Sequence, residues 1–421
     1  MRYEIAIFAG QSGVTAQAGG GEVNGNGANR FSKIAVIAAE DWFVLSHFRP
    51  LLAALRPLCE ELVVVTRCSG YEAEIEALGA RAIPLSFDRK SLNIIKQGNS
   101  TIQLMNIIRK EKPDVVHLIA LNPIIIGSAV AKISKMPAVV THITGFGYLG
   151  TSTNPVIRLI RYASLHLVDK MLRHNISWIL AENETDLTDL SAFGIDTTGK
   201  SAILRGAGID PEEFCAQTTP ANPIPIAASI SRLIHQKGLD ILVAAKKRLV
   251  TRSVPLRVQI FARPDPGNPD AIAPNTLRGW VESGLIEGGR ETNDVVSVWR
   301  QSDIAVFPAR DREGMPRAML EAAACARPLI VADVPGLKDF VRDGVEGLIV
   351  PPEDPDALAT ALERLANNPE MRERMGEAAR ARILSGYTDT HVKGVIIQTY
   401  AELGARIATS HKPNKIIGPV S

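Results

Sequence analysis

The sequence predicts an α/β protein of two domains facing each other across a cleft. Three observations carry this. Short apolar runs alternate with stretches long enough for helices. That series occurs twice. A proline-rich break, QTTPANPIP at 217–225, separates the two series. Short strands that are apolar on both faces, with helices between them, belong to parallel sheets covered on both sides. A chain of 421 residues is long enough for two such domains.

The elements follow in order. Residues 1–31 open with MRYEIAIFAG and continue as a run rich in Gly, Ala, Asn and Gln. The apolar part is too short and broken for a secretory signal, so the segment reads as a flexible leader. The first domain, 32–216, has strand-like runs at 33–40, 62–66, 81–85, 114–118, 138–142, 177–181 and 202–206. Helical stretches fall between them, among them 47–58, 71–79, 98–111 and 124–135. The second domain, 217–390, has runs at 224–230, 256–262, 303–308, 328–332 and 347–350. The chain closes at 391–421 with a helix expected to pack back toward the first domain, then a tail. In open α/β sheets ligands bind at the carboxyl ends of the strands, so the cleft between the domains is the expected site.

Composition excludes several classes. A net charge of +2 gives no global case for nucleic acid. The four cysteines have no paired spacing and join no histidine cluster, so zinc is not expected and a reducing cytoplasm fits. No apolar run is long enough to cross a membrane as a helix. Charge is uneven, however. Residues 81–173 hold thirteen Lys and Arg against four Asp and Glu, and NPVIRLIRYASLHLVDKMLRH (154–174) mixes cations with bulky apolar residues. That pattern suits either a packed helix with a wet basic face or peripheral docking on an anionic membrane.

The chemistry concentrates in DREGMPRAMLEAAACARPLIV (311–331). A strand runs into a loop carrying Glu313. Pro316 is expected in the first turn of the following helix, which places Glu321 about one and a half turns inside it. The backbone N–H groups after Gly314 form an anion site at the helix start. Carboxylates beside such a site suit hydroxyl groups better than the anion itself. Phosphate in the middle with hydroxyls on both sides describes a nucleotide-sugar. A plainer reading makes Glu313 a cap and Glu321 a surface charge, but Glu321 is followed by a buried-looking run. The second cluster is SRLIHQKGLD (231–240), where Arg232 and Lys237 flank a strand-to-helix turn closed by Gly238. Two cations at a strand's carboxyl end suit a diphosphate.

Together these motifs resemble the retaining family 4 glycosyltransferases of GT-B fold, which are built from two Rossmann-like domains. The likeness covers nearly all of the second domain. In the first domain EDWFVLSHFRPL (40–51), DVVHLIALNPIIIGSAVA (114–131) and THITGFGYLG (141–150) resemble bacterial enzymes that build surface polysaccharide or lipid-linked oligosaccharide. The resemblance implies that Arg232 and Lys237 meet the donor diphosphate, Glu321 the ribose hydroxyls and Glu313 the transferred sugar. It places Gly314, the Met315 N–H and Arg317 against a phosphate or the sugar. Gly145 and Gly147 become an acceptor-side loop, and His142 a cleft histidine with a catalytic role. The chain departs from the family pattern at Ala309-Arg310-Asp311, at Ala326, at Leu337-Lys338-Asp339 and at Asn122, where relatives often carry a lysine.

The implied reaction is transfer of a hexose or N-acetylhexosamine, with UDP favoured as the nucleotide, to a polysaccharide or polyprenyl-diphosphate-linked acceptor. Retention would follow from same-face displacement, with no metal and no cofactor beyond the nucleotide-sugar substrate. The expected location is the cytoplasm, peripherally on the inner face of its membrane. The rival classes are a nucleotide-sugar epimerase of the same fold and a non-catalytic nucleotide-sugar-binding partner of a polysaccharide assembly system.

Overall fold

The computed structural model describes residues 31–86, 94–134, 138–145, 155–174, 176–216, 220, 222–266, 268 and 270–410. Every strand run expected from the sequence forms a strand. In the first domain β1 (Phe31–Glu40), β2 (Cys59–Arg67), β3 (Arg81–Pro84), β4 (Val115–Ile119), β5 (Ala138–Ile143), β6 (Ile176–Ala181) and β7 (Ser201–Ile203) make one sheet, ordered β3-β2-β1-β4-β5-β6-β7. All its pairings are parallel. In the second domain β8 (Ile226–Leu233), β9 (Arg257–Pro264), β10 (Glu287–Gly288), β11 (Ile304–Phe307), β12 (Leu329–Ala332) and β13 (Gly347–Val350) make the other, ordered β10-β9-β8-β11-β12-β13. It too is parallel throughout. Among the described residues, the two-residue edge strand β10 is the one strand the sequence does not announce.

The strands form because both of their faces are covered. In β1 the stretch Ile34–Ala38 is completely buried, with Val36 facing one core and Ile37 the other. Each buried Val or Ile among them contributes about 1.5–3 kcal/mol relative to exposure. The second sheet is likewise lined on its two faces by separate apolar clusters.

Chain order reverses at one place in each sheet, between β1 and β4 and between β8 and β11. These switch points open crevices at the strands' carboxyl ends, where open α/β sheets take ligands. The helix expected from 47 instead begins directly after β1. It forms as two pieces, Asp41–His47 and Arg49–Leu55, broken at Phe48. This puts Asp41–Phe48 over the first switch point.

The last helix, Asp389–Ser410, returns to the first domain. Its Val392, Ile396, Tyr400 and Leu403 are buried in that domain's core. The chain therefore passes between the domains twice. The two crossings lie side by side, with Ile209 N–H donating to Tyr387 O and Asp389 N–H to Ile209 O. None of the described helices is long and apolar enough to cross a membrane.

Candidate functional site

The second switch point brings the two sequence motifs together. Arg232 lies near the end of β8, and the chain then makes a single 3-10 turn, His235–Lys237. Gly238 closes it with φ +66°, and a Cβ there would stand 1.9 Å from Pro308 O. Only glycine lets the turn lie this close to the loop leaving β11. The two loops are stitched by Arg310 N–H to Gln236 O at 2.9 Å and Gln236 Nε2 to Arg312 O at 3.0 Å. Lys237 Nζ thereby reaches Glu313 Oε2 at 2.7 Å, both side chains being mostly buried. Glu313 Oε1 is buried and has no partner among the described residues. Arg232 pairs with Asp265 at 3.2 Å. Arg310, one of the departures from the family pattern, is held by Asp240 at 2.6 Å and serves the loop rather than the cleft.

The helix carrying Glu321 starts one residue later than its sequence suggests. Pro316 is its N-cap and Arg317 its first residue. Glu321 is 7% exposed and receives Arg317 Nε at 2.7 Å. Burial raises its pKa, against the pull of Arg317. Ala326 adopts φ 58°, a left-handed conformation that costs a residue with a Cβ about 1–2 kcal/mol.

Across the cleft the first domain closes onto this loop. Gly145, at φ +95°, lies on Gly314, with 3.2 Å between its would-be Cβ and Gly314 N. Gly147 lies outside the described residues. The Met315 N–H, expected to face a phosphate or sugar, donates instead to Glu182 Oε2 at 3.0 Å. Glu182 directly follows β6 at the carboxyl edge and is 6% exposed. Burial pushes its pKa up to about 8, partly opposed by the Met315 N–H and reinforced by Asp186. Asp186 is itself raised to about 7, again chiefly by burial. Arg312 pairs with Asp189, Thr185 Oγ1 donates to Asp339 at 3.1 Å, and the Arg263 guanidinium sits 4.5 Å over the Trp42 ring. Arg317 also donates to Ser46 O.

His142 does not join the cations. Its ring is 2% exposed beneath the cleft, edge-on to Phe48 at 5.1 Å, with Nδ1 3.4 Å from His117 Nε2. His117 Nδ1 continues to Tyr400 O–H at 2.8 Å. Burial pushes the His142 pKa down to about 3, so the ring is neutral, and its Nε2 is buried without a partner among the described residues. The histidine that does face the cations is His47. Burial, then Arg317, Arg232 and Lys237, push its pKa down to about 3.

Glu182 and His47 are the site residues that sequence reasoning missed. Their one available signal is position: each follows a strand of the first sheet directly or within one short helix.

Residues 33–183 match the family model described as "Glycosyl transferase 4-like", and 212–382 match "Glycosyl transferases group 1". A Campylobacter jejuni N,N'-diacetylbacillosaminyl-diphospho-undecaprenol alpha-1,3-N-acetylgalactosaminyltransferase is 21% identical over 86% of this chain and 95% of its own. An Escherichia coli UDP-Gal:alpha-D-GlcNAc-diphosphoundecaprenol alpha-1,3-galactosyltransferase is 24% identical over 71% and 78%. The alpha-D-kanosaminyltransferase of Streptomyces kanamyceticus is 29% identical, over 43% of this chain and only 46% of its own length. Among solved structures, Anabaena HepE in complex with UDP superposes with a TM-score of 0.70 at 14% identity. That match covers 88% of this chain and all of HepE.

Proposed function

This chain belongs to the glycosyltransferases of GT-B fold, and from that premise we propose that it moves a hexose or N-acetylhexosamine from a UDP-sugar to a polysaccharide or polyprenyl-diphosphate-linked acceptor. One observation carries the assignment. Lys237 and Glu313, distant in sequence, meet at 2.7 Å at the switch point of the second sheet, beside Arg232. Lys237 keeps donors for a diphosphate after serving Glu313, and Glu313 keeps Oε1 for a sugar hydroxyl. Glu321 takes the ribose hydroxyls, and Arg317 sits between Glu321 and the acceptor domain.

The reaction is a same-face displacement with retention. The bond from the anomeric carbon to the diphosphate oxygen breaks, its electrons staying on the diphosphate. The acceptor oxygen bonds to that carbon from the same face, and the leaving phosphate receives the acceptor's proton. The protein's share is positioning and charge stabilisation by Arg232 and Lys237, so no metal is required. Its relatives are transferases, so a non-catalytic binding partner is not the favoured reading.

The acceptor domain also suggests where a lipid-linked acceptor is met. Helices Ile94–Glu111, Leu121–Ser134 and Pro155–His174 pack side by side. They expose Ile102, Ile133, Leu159 and Tyr162 with Arg109, Lys110, Lys170 and Arg173. Apolar anchors among cations suit an anionic membrane on the cytoplasmic side, each cation contributing about 1 kcal/mol. Leu159→Glu should reduce co-sedimentation with phosphatidylglycerol vesicles several-fold and leave binding of free UDP unchanged. Undiminished sedimentation refutes the docking surface.

The first test is thermal stabilisation by UDP, GDP and ADP, each with a chelator present. Ligand at 100 times its Kd adds about 2.7 kcal/mol. UDP alone should shift the melting temperature, and Lys237→Ala should lower transfer from UDP-sugars by about 10²-fold or more. Full activity in Lys237→Ala refutes the assignment.

A further inference from the structure

His47 is a cleft side chain that the reaction above leaves without a task. It ends the helix Asp41–His47 at the carboxyl edge of the first sheet, where β1 and β4 part. Its ring is fixed on its own side by Ser46 Oγ, 2.7 Å from Nδ1, and by the Phe43 ring at 4.8 Å. Its backbone is fixed to the opposite domain, since Ser46 O accepts from Arg317, which Glu321 holds in turn. The charged groups facing it come from three elements. β8 presents Arg232 with its partner Asp265, the 3-10 turn presents Lys237 with Glu313, and the helix Arg317–Ala324 presents Arg317 with Glu321. On its own side the nearest charge in sequence, Arg49, is turned to Leu45 O and Glu74.

Resting on the reading of Arg232 and Lys237 as the diphosphate cations, we propose that His47 is the acceptor domain's contact to the donor diphosphate and takes up a proton when it binds. Burial first, and then the three cations, keep this histidine neutral while the cleft holds no anion. A nucleoside diphosphate places two or more negative charges in the same space. The repulsion then becomes attraction, and the imidazolium becomes the favoured form. The proton comes from solvent and returns there when the nucleotide leaves. The acceptor hydroxyl's proton still goes to the leaving phosphate, so the transfer step stays balanced. With His47 protonated, the leaving group is met by cations from both domains, which couples cleft closure to the presence of a diphosphate.

The test is calorimetry of UDP binding at pH 7 in buffers of different ionisation enthalpy, comparing the full chain with its His47→Asn variant. UDP's own ionisation is common to both proteins, so the difference isolates His47. The wild type should take up close to one proton more per UDP than the variant, and the variant should bind about 10–100-fold more weakly. Equal proton uptake, or equal affinity, overturns the proposal. A measurement free of the variant is the His47 imidazole 15N shift in the wild type. It should report a neutral ring without UDP and a protonated ring with it, and a ring neutral in both states overturns the proposal. Absence of UDP binding to the wild type overturns the donor reading as well. It is told apart because the wild type then shows no binding heat at all.

Discussion

Glu182 is a carboxylate that gives up its ordinary acidity to close a cleft. Its folded pKa of about 8 lies above its ordinary value of 4.5, so the folded protein holds a proton there that the unfolded chain releases. Stability from this group is complete below 4.5 and is lost as pH rises through 8. Asp186 acts in the same direction, up to about 7. His47 and His142 act oppositely. Their pKa values of about 3 lie below the ordinary 6.5, so they cost stability as pH falls below 6.5. Between 6.5 and 8 the two carboxylates act without that opposition, and the melting temperature should fall across that window. Glu182→Gln keeps an acceptor for the Met315 N–H but cannot titrate. Its melting temperature should vary less between pH 6.5 and 8, and an unchanged slope would show that Glu182 is not the group responsible.

Among the elements, the turn after β8 carries the most for its size. Gly238→Ala should destabilise the protein by about 2 kcal/mol or more. It combines a left-handed φ with a Cβ 1.9 Å from Pro308 O, and relief requires the two loops to part. UDP affinity should fall with it, because Lys237 moves away from Glu313. Thermal melting and nucleotide titration check both effects. This turn was legible in the sequence, since SRLIHQKG is local and Gly238 marks where it closes. The strands were legible for a related reason: a run such as Ile34–Ala38, buried on both faces, is apolar at every position. The helix Asp41–His47 was not. Its N-cap Glu40 makes no capping hydrogen bond, so nothing in DWFVLSH announces a start. Glu182 escaped because its partner is a backbone N–H in the other domain, which leaves no spacing to read. His142 shows the reverse case. A histidine at a strand's carboxyl end reads as a cleft residue, while its ring packs against Phe48 and His117, and His117 in turn meets Tyr400, from a helix far along the chain.

At the scale of the whole molecule, two sheets that bury their own faces meet through few but directional contacts. Arg312–Asp189, Arg317–Ser46, Arg263 over Trp42 and Glu182–Met315 all span the cleft. Each involves a residue on or beside a loop or helix end, so among the described residues directional bonds between surfaces join the two domains across the cleft. The double crossing of the chain has its own consequence. Because the last helix belongs by sequence to the second half and by packing to the first, the polypeptide is clasped as well as linked. A single protease cut within 217–221 should therefore yield two pieces that elute together on size exclusion and separate only in denaturant. Coexpressed as 1–216 and 222–421, the pieces should find each other through Val392, Ile396, Tyr400 and Leu403. Independent migration of the two would show that the returning helix does not bind tightly enough to hold them. If they do reassemble, the enzyme can be divided between 216 and 222, and each half can be altered or labelled alone before the cleft is rebuilt.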